Sequence, residues 1–274
     1  MSLLWNFHTH TDFCDGRDTA EDMVKQALAL GFKGLGFSGH MDPDIHMDME
    51  KYTAEIYRLQ EKYHNEIEIL CGVELDTLYD PASARGAEYL IGSTHFLDVP
   101  SETPMSVDSS EAHMKKLCRE FFGGDYYKLS KAYYDLESQV YDRLHCTFIG
   151  HFDLVTRFND SMHFLDENDP RYWKPALLAM EYLVSQDVPF EINCGAVNRN
   201  RKKEFYPNHF LLKNLQKMGG QILINSDAHQ KELLNGAFDL AVKEAIACGF
   251  THVNVLRKNE RGHIYYHQAA LDSL

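Results

Sequence analysis

The sequence predicts an α/β barrel in which parallel strands alternate with helices that cross over outside them. Short apolar runs alternate with longer amphipathic segments along the 274 residues, and this alternation favours parallel strands with crossover helices. Seven or eight such units fit the length of the chain, which is barrel-sized. Residues that can bind metal ions follow most of the apolar runs, as expected where strand ends gather on one face of a barrel.

Eight short apolar runs are predicted to be β-strands. They are rich in Leu, Ile, Val and Phe and are too short to form stable helices, and polar or glycine residues follow them. In chain order the predicted strands are Leu3–Phe7, Lys33–Ser38, Glu68–Val73, Glu88–Ser93, Thr147–Gly150, Val188–Ile192, Gln221–Asn225 and, after the regular series, Thr251–Leu256.

The segments between these runs are predicted to be amphipathic helices. In the first helix, Thr19 can cap the start and Gly31 follows the end. The acidic residues Glu21 and Asp22 suit the positive end of its dipole. In chain order the predicted helices are Thr19–Leu30, Glu50–His64, Asp108–Leu144 with a break near Gly123-Gly124, Pro175–Gln186, Asn208–Met218 and Glu232–Cys248.

The organisation of the chain predicts one domain over residues 1–274. No tract rich in Pro, Gly and Ser resembles a linker, and no sequence repeat is visible. Two long irregular stretches, Asp80–Arg85 and Arg157–Tyr172, are interpreted as active-site loops, because function concentrates on such loops.

Composition excludes several classes of function. There are 27 Lys and Arg against 41 Asp and Glu, for a net charge of −14, which disfavours binding to nucleic acid because the phosphate backbone is repelled. No apolar run approaches the roughly 20 residues that span a bilayer, and the first residues do not resemble a signal peptide. The six cysteines form no Cys-x-x-Cys pair and are expected to be reduced. The expected location is the cytoplasm.

Polar residues suited to an active site stand at the ends of seven predicted strands, and at six of these ends they are of metal-ligand type. In the His-x-His segment, residues i and i+2 point the same way, so both imidazoles can reach one ion. A single histidine at a strand end is more often hydrogen-bonded to backbone, and the prediction therefore depends on the whole set. In strand order these residues are His8 with His10, His40, Glu74, His95, His151, Asn193, and Asp227 with His229, and all of them except Asn193 are candidate metal ligands.

Asp15, in the loop after His-x-His, is a ninth candidate ligand beside the six histidines, Glu74 and Asp227. Its neighbours Asp12 and Asp18 compete with it, but Asp18 precedes the first helix and suits a capping role. We favour Asp15. The remaining histidines are interpreted as structural or solvated, with the first and fifth left open because their loops can approach the site; they are His46, His64, His113, His145, His163, His209, His252, His263 and His267.

Six segments together carry a family resemblance over nearly the whole chain. They are His8-Thr9-His10, Ser38-Gly39-His40, Gly72-Val73-Glu74, Ser93-Thr94-His95, Gly150-His151-Phe152-Asp153 and Ser226-Asp227-Ala228-His229. In this order they resemble the PHP (polymerase and histidinol phosphatase) superfamily. The Gly150–Arg157 stretch, the Phe190–Asn193 segment and Tyr206-Pro207 resemble its stand-alone L-histidinol phosphate phosphatases.

The resemblance implies a distorted (β/α)7 barrel of TIM-like, PHP type with two to three divalent ions, Zn, Mn or Fe. It implies hydrolysis of L-histidinol phosphate in histidine biosynthesis, through a hydroxide that bridges two ions of a trinuclear site. The implied ligands are His8, His10, Glu74 and Asp227 for the first ion, the bridging Glu74 with His95 and His151 for the second, and Asp15, His40 and His229 for the third. Relatives often carry a histidine one position after the place of Asp15, so the third ion differs in its ligands here.

Substrate residues are expected on loops at the same face. Arg157, Arg199 and Arg201 follow two of the strand ends, and guanidinium groups match phosphate oxygens. Asn193 can contact substrate, contact a metal-bound water, or only hold its loop. Asp227 and His229 are both candidates for the leaving-group proton. The expected partner is a small phosphorylated substrate, without nucleic acid or membrane; the sequence does not indicate the oligomeric state.

Three rival functions are compatible with parts of this pattern. A PHP phosphoesterase for another small monoester or a nucleotide differs only in substrate. An amidohydrolase-like barrel also starts with His-x-His but depends on a lysine at a strand end, where this chain has Glu74. A non-catalytic metal-binding relic is expected to have lost ligands, and none is missing here.

Overall fold

A computed structural model describes residues 4–273 of the chain. Its strands are β1 (Trp5–Asn6), β2 (Gly34–Met41), β3 (Glu68–Asp76), β4 (Tyr89–Ser93), β5 (Phe96–Leu97), β6 (Met105–Ser106), β7 (Phe148–Ile149), β8 (Phe190–Asn193), β9 (Ile222–Asn225), β10 (His252–Lys258) and β11 (Ile264–Ala270). Its α-helices are α1 (Ala20–Ala29), α2 (Met49–Tyr63), α3 (Glu111–Phe122), α4 (Tyr126–Glu137), α5 (Val140–Leu144), α6 (Asn159–Met162), α7 (Pro170–Ser185), α8 (Gly195–Asn198), α9 (His209–Lys217) and α10 (Phe238–Cys248).

Seven strands form a parallel sheet that curls into a barrel. Their order is β1-β2-β3-β4-β7-β8-β9, and every ladder between neighbours is parallel. The first and last strands meet just beyond their ends, where Thr9 and Ala228 form a parallel bridge and the His10 amide donates to the Ala228 carbonyl over 2.9 Å. The predicted distorted (β/α)7 barrel is therefore confirmed.

Several helices begin where the sequence indicates. Thr19 caps α1 by accepting a hydrogen bond from the Asp22 amide at 3.2 Å, and Asn208 caps α9 in the same way through the Leu211 amide at 3.0 Å. Such caps satisfy backbone donors that the helix itself leaves unpaired. Over residues 4–273 no helix has the length and apolar character needed to cross a membrane.

Two of the predicted helices differ from the observed ones, one in where it begins and the other in where it is interrupted. The helix expected at Pro175 begins at Pro170, because Asp169 caps it and proline is favoured in the first turn. Pro175 lies inside this helix. The segment expected from Asp108 to Leu144 breaks at Gly123-Gly124 as predicted and again after Glu137, so it forms α3, α4 and α5.

The end of the chain differs most from expectation. The helix predicted from Glu232 begins at Phe238, after a short 3₁₀ turn. The strand predicted at Thr251–Leu256 is present as β10, but it pairs antiparallel with β11. That second strand is half-polar and largely exposed, so it lacks the apolar run by which the others were recognised.

Tyr89 fills the interior of the barrel. Its hydroxyl donates to the Phe7 carbonyl at 2.7 Å and lies 3.0 Å from that of Phe37. Two glycines on adjacent strands make room for it, since a Cβ at Gly36 would lie 2.3 Å from the Tyr89 hydroxyl oxygen and one at Gly72 2.2 Å from its ring. Both distances are impossible for real atoms, so the barrel requires glycine at these positions.

We expect Gly36→Ala to lower the free energy of unfolding by about 1–3 kcal/mol, as other overpacked cores do. The nearest clash is with the Tyr89 hydroxyl, so Tyr89→Phe should relieve part of this loss. The clash at Gly72 is with the ring, so Tyr89→Phe should not relieve Gly72→Ala. Urea unfolding of the single and double variants measures both couplings. Equal stability of Gly36→Ala and wild type would contradict this packing.

Candidate active site

The nine predicted ligands lie together at the carboxyl ends of the barrel strands. Parallel strands open on one face, so side chains that are far apart in sequence meet there. Their ligand atoms form four overlapping groups, in each of which all atoms lie within 4.8 Å of one another. The groups are His10, Asp15, His40 and His229; His8, His10 and Asp227; His8, Glu74 and His151; and His40, Glu74 and His95.

One buried carboxylate, Glu74, is the centre of the cluster. Each of its oxygens faces a different set of imidazole nitrogens, and the surrounding histidines hold its pKa well below the usual value although burial alone would raise it. Such a carboxylate can bridge two ions. The contacts are His8 Nε2 at 3.0 Å, His10 Nε2 at 3.4 Å and His40 Nδ1 at 3.3 Å from Oε2, and His151 Nε2 at 2.8 Å and His95 Nε2 at 3.3 Å from Oε1.

Asp227 forms a second centre at the end of β9. Its Oδ1 lies 3.3 Å from His10 Nε2 and 3.4 Å from His229 Nδ1. Its backbone has a φ of 50°, a left-handed conformation that costs a non-glycine residue energy and recurs at functional sites. Arg199 holds it from the other side, through the Asp227 carbonyl at 2.9 Å and Oδ2 at 3.1 Å.

Asp15 approaches the cluster from the loop after β1. Its Oδ2 lies 3.1 Å from His229 Nε2, and its Oδ1 lies 3.7 Å from His10 Nδ1 and 3.8 Å from His40 Nε2. Gly16 keeps this loop tight, because a Cβ there would lie 2.5 Å from the His10 backbone. Of the competing acids, Asp18 instead forms an ion pair with Lys231 at 3.1 Å, outside the cluster.

The donor set fits divalent metal ions. Among the described residues, four histidines have a buried ring nitrogen without a hydrogen-bond partner. In His10 and His40 it is the nitrogen that faces Glu74, Nε2 and Nδ1 respectively. In His95 and His151 it is Nδ1, while Nε2 faces Glu74. Burial and two neighbouring imidazoles lower the pKa of His10 to about 3, so its ring is neutral and its lone pair is free for a metal. Imidazole nitrogen with carboxylate oxygen is the ligand chemistry of Zn, Mn and Fe.

The carboxylate that orients His8 was not predicted from the sequence. Glu191, fully buried in β8, accepts from His8 Nδ1 at 2.8 Å and from the His151 amide at 3.1 Å. A hydrogen bond of this kind fixes the tautomer and direction of a metal-binding imidazole. The sequence did contain a signal for this role, because Glu191 is an acidic residue inside an otherwise apolar strand. Burying a charge there costs free energy unless the charge is paired.

Asn193 lies beneath the cavity and not in its wall. Its amide nitrogen donates to Glu191 at 2.9 Å and lies 3.4 Å from Asp227, and its oxygen accepts from the Gly195 amide at 2.8 Å. The side chain is fully buried. Of the three roles expected for Asn193, these contacts favour holding the loop over contact with substrate or with a metal-bound water.

A cavity of about 690 Å³ opens above the cluster, a size suited to a small ligand. Three predicted arginines, Arg157, Arg199 and Arg201, line it, with Arg17 as a fourth that sequence analysis missed. Acidic residues line it as well, namely Asp42, Asp44 and Asp108. The cavity therefore offers both cationic and anionic partners to one small molecule.

The two histidines left open do not line this cavity. His46 is exposed and lies 2.5 Å from the Tyr79 hydroxyl, while His163 ends the short helix α6 with a φ of 50°. Among the histidines interpreted as structural, His209 has a different environment, next to an acidic and a thiol side chain on a neighbouring helix.

Another buried carboxyl, that of Glu137, lies near His95. Glu137 on α4 is fully buried, and desolvation raises its pKa to about 8. The unfolded chain ionises this group near its usual pKa of 4.5, so unfolding releases a proton between pH 4.5 and 8 and stability falls as pH rises in that window.

Glu137→Gln removes this proton release. From pH 5 to pH 8 the stability of the variant should therefore rise relative to wild type by about 3 kcal/mol, as urea titrations at several pH values would measure. The exposed Glu181→Gln on α7 is the control and should show no such trend. A pH-independent difference between Glu137→Gln and wild type would contradict a neutral buried carboxyl.

Comparison with known proteins gives consistent matches. The PHP domain family model matches residues 6–195. A "Probable histidinol-phosphatase" of Schizosaccharomyces pombe is 25% identical over 93% of this chain and 90% of its own, and one of Deinococcus radiodurans is 29% identical over 89% and 93%. A crystal structure of histidinol phosphate phosphatase from Lactococcus lactis, complexed with zinc, L-histidinol and phosphate, has a TM-score of 0.70 at 21% identity and covers 93% of this chain and 97% of that one.

Proposed function

Because this chain belongs to the PHP domain family, we propose that it is a metal-dependent phosphatase that hydrolyses L-histidinol phosphate to L-histidinol and phosphate in histidine biosynthesis. The observation that carries the proposal is the cluster of nine ligands around Glu74, beside a cavity with several arginines. Curated relatives that cover most of the chain have histidinol-phosphatase names, which supports the substrate. A cytoplasmic location and a single domain over residues 1–274 remain predictions of the sequence.

The ligand groups would hold two to three divalent ions, Zn, Mn or Fe. The proposed sets are those implied by the family. The groups of neighbouring ligand atoms differ from these sets, because His95 groups with His40 and Glu74, and His151 groups with His8 and Glu74. His40 also lies near both Asp15 and Glu74 and can serve either neighbour. When bound, such ions supply positive charge to phosphoryl oxygens and lower the pKa of a bound water to near neutrality.

The arginines are proposed to orient the phosphate. Arg199 is fixed by Asp227 and lies 3.0 Å from His229 Nδ1 at the edge of the cluster. Arg157 pairs with Asp108 at 3.3 Å, and Arg201 lines the cavity nearby. Guanidinium groups held in this way present fixed donors to phosphate oxygens. Asp227 and His229 both line the cavity and both remain candidates for the leaving-group proton.

The acidic lining suits the rest of the substrate. L-Histidinol phosphate carries an ammonium group and an imidazole besides its phosphate dianion. Asp42 accepts hydrogen bonds from the backbone amides of Asp44 and Ile45, at 2.7 and 2.8 Å. Its carboxylate is therefore already held in place before substrate binds. We propose that Asp42 and Asp44 attract the cationic end of the substrate while the arginines hold the phosphate.

A substrate panel tests the proposal. We expect kcat/KM for L-histidinol phosphate to exceed that for nucleoside monophosphates and sugar phosphates by at least about tenfold, which corresponds to 1.4 kcal/mol. No cleavage of single-stranded nucleic acid is expected. Chelation should abolish turnover, and Zn, Mn or Fe should restore it. If another monoester has the higher kcat/KM, that ester and not L-histidinol phosphate is the substrate. Full activity without metal would refute the metal-dependent mechanism.

A further inference from the structure

Three side chains of metal-ligand type meet on the outer helices, apart from the active-site cavity. His209 is the first residue of α9, and Glu244 and Cys248 lie on α10. His209 Nδ1 lies 2.6 Å from Glu244 Oε1 and 3.6 Å from Cys248 Sγ, which is itself 3.6 Å from Glu244 Oε1. None of the three residues lines the active-site cavity.

The helices place these groups in a favourable arrangement. Glu244 and Cys248 are four residues apart, so they lie on one face of α10, and α9 packs beside that helix. A tetrahedral zinc ion with bonds of about 2.0 Å to nitrogen and oxygen and about 2.3 Å to sulfur separates its ligand atoms by about 3.3–3.5 Å. The two sulfur distances already match this geometry. Only the distance between His209 and Glu244 must widen.

An ordinary ion pair explains only two of the three residues. A His209–Glu244 hydrogen bond needs no thiol, yet the Cys248 sulfur lies equally far from both partners. Exposure also increases outward, from 4% for Cys248 to 26% for the Glu244 side chain and 47% for that of His209. The thiol thus forms the floor of a site whose outer side is exposed to solvent, so that water can supply a fourth ligand.

We propose that His209, Glu244 and Cys248 bind one Zn²⁺ ion that ties α9 to α10, separate from the catalytic ions. Coordination replaces the thiol proton of Cys248, which passes to solvent, and leaves His209 as a neutral ligand. A mixed nitrogen, oxygen and sulfur set suits zinc better than manganese, because thiolate is a soft ligand. The proposal does not depend on which phosphate ester is the substrate.

Metal titration of the holoenzyme tests this site. With its catalytic ions in place, wild type should bind one more equivalent of Zn²⁺ per chain than either Cys248→Ser or His209→Ala. Titration with Co²⁺ instead should give thiolate-to-cobalt charge-transfer absorption that disappears in Cys248→Ser. The charge-transfer band must be assigned by variant, because Cys14 lies 3.7 Å from His10 Nδ1 in the active site.

Cys118→Ser, another buried cysteine on a helix, is the matched control and should keep both the extra equivalent and the absorption. Phosphatase activity of Cys248→Ser should stay within about twofold of wild type, a difference below 0.5 kcal/mol. If Cys248→Ser fails to fold, the exposed His209→Ala provides the stoichiometric test alone. Absence of the extra equivalent in wild type, or its persistence in either ligand variant, would overturn the proposal.

Discussion

Replacing Glu74 by Gln should lower kcat/KM for the phosphate ester by about a thousandfold or more, since metal charge stabilisation is worth several kcal/mol. The amide has nearly the same shape, but it lacks the negative charge and presents an N–H group to imidazoles that need an acceptor or a metal. Five histidines face this one carboxylate. The variant should also retain less metal per chain, as elemental analysis of the purified protein would measure.

Glu68→Gln is the matched control for this prediction. Glu68 begins the same strand, β3, at the opposite end of the barrel, and it pairs with Arg257. Its replacement should leave metal content and turnover near those of wild type. Glu74→Gln with full metal content and wild-type kcat/KM would show that the cluster is not the catalytic centre.

Removing the guanidinium of Arg199 should also lower kcat/KM strongly, though less than replacing Glu74. Arg199→Met keeps most of the aliphatic bulk but loses the donors that hold Asp227 and face the cavity. We expect kcat/KM to fall by about 10²–10³-fold, as when one preorganised donor to a transition state is removed. Metal content should stay near that of wild type, because Arg199 is not among the proposed ligands.

Arg143 is exposed on α5, and Arg143→Met is the control, which should leave kcat/KM and metal content unchanged. A loss of metal in Arg199→Met equal to the loss in activity would assign Arg199 to ligand positioning alone. An unchanged kcat/KM in Arg199→Met would show that Arg199 does not act in the reaction.

The sequence could predict which side chains gather at the site, because strand direction determines where the strand ends meet. His40, Glu74 and Asp227 each end a run that is recognisably a strand, and parallel strand ends share one face. Sequence could not indicate ring orientation. His40 directs one nitrogen to Glu74 and the other to Asp15, and this depends on packing that no local pattern contains. For the same reason the contact between Glu191 and His8 could not be predicted from the sequence.

The fold was predictable where local signals agree and not elsewhere. Thr19 and Asn208 cap helices as their residue types indicate. The strand β11 was not predicted, because it is exposed and its pairing with β10 is decided by contacts along the whole hairpin. The start of α7 was misplaced because two prolines, Pro170 and Pro175, lie near its first turns and the later one was taken as the start.

Anomalous diffraction from crystals grown with zinc would show whether the cluster around Glu74 holds the metal ions. We predict two or three peaks among the nine side chains, at about 2.0–2.2 Å from ligand nitrogen and oxygen atoms, with Glu74 shared between two of them. A fully active protein whose map shows no metal at Glu74 and Asp227 would contradict the account.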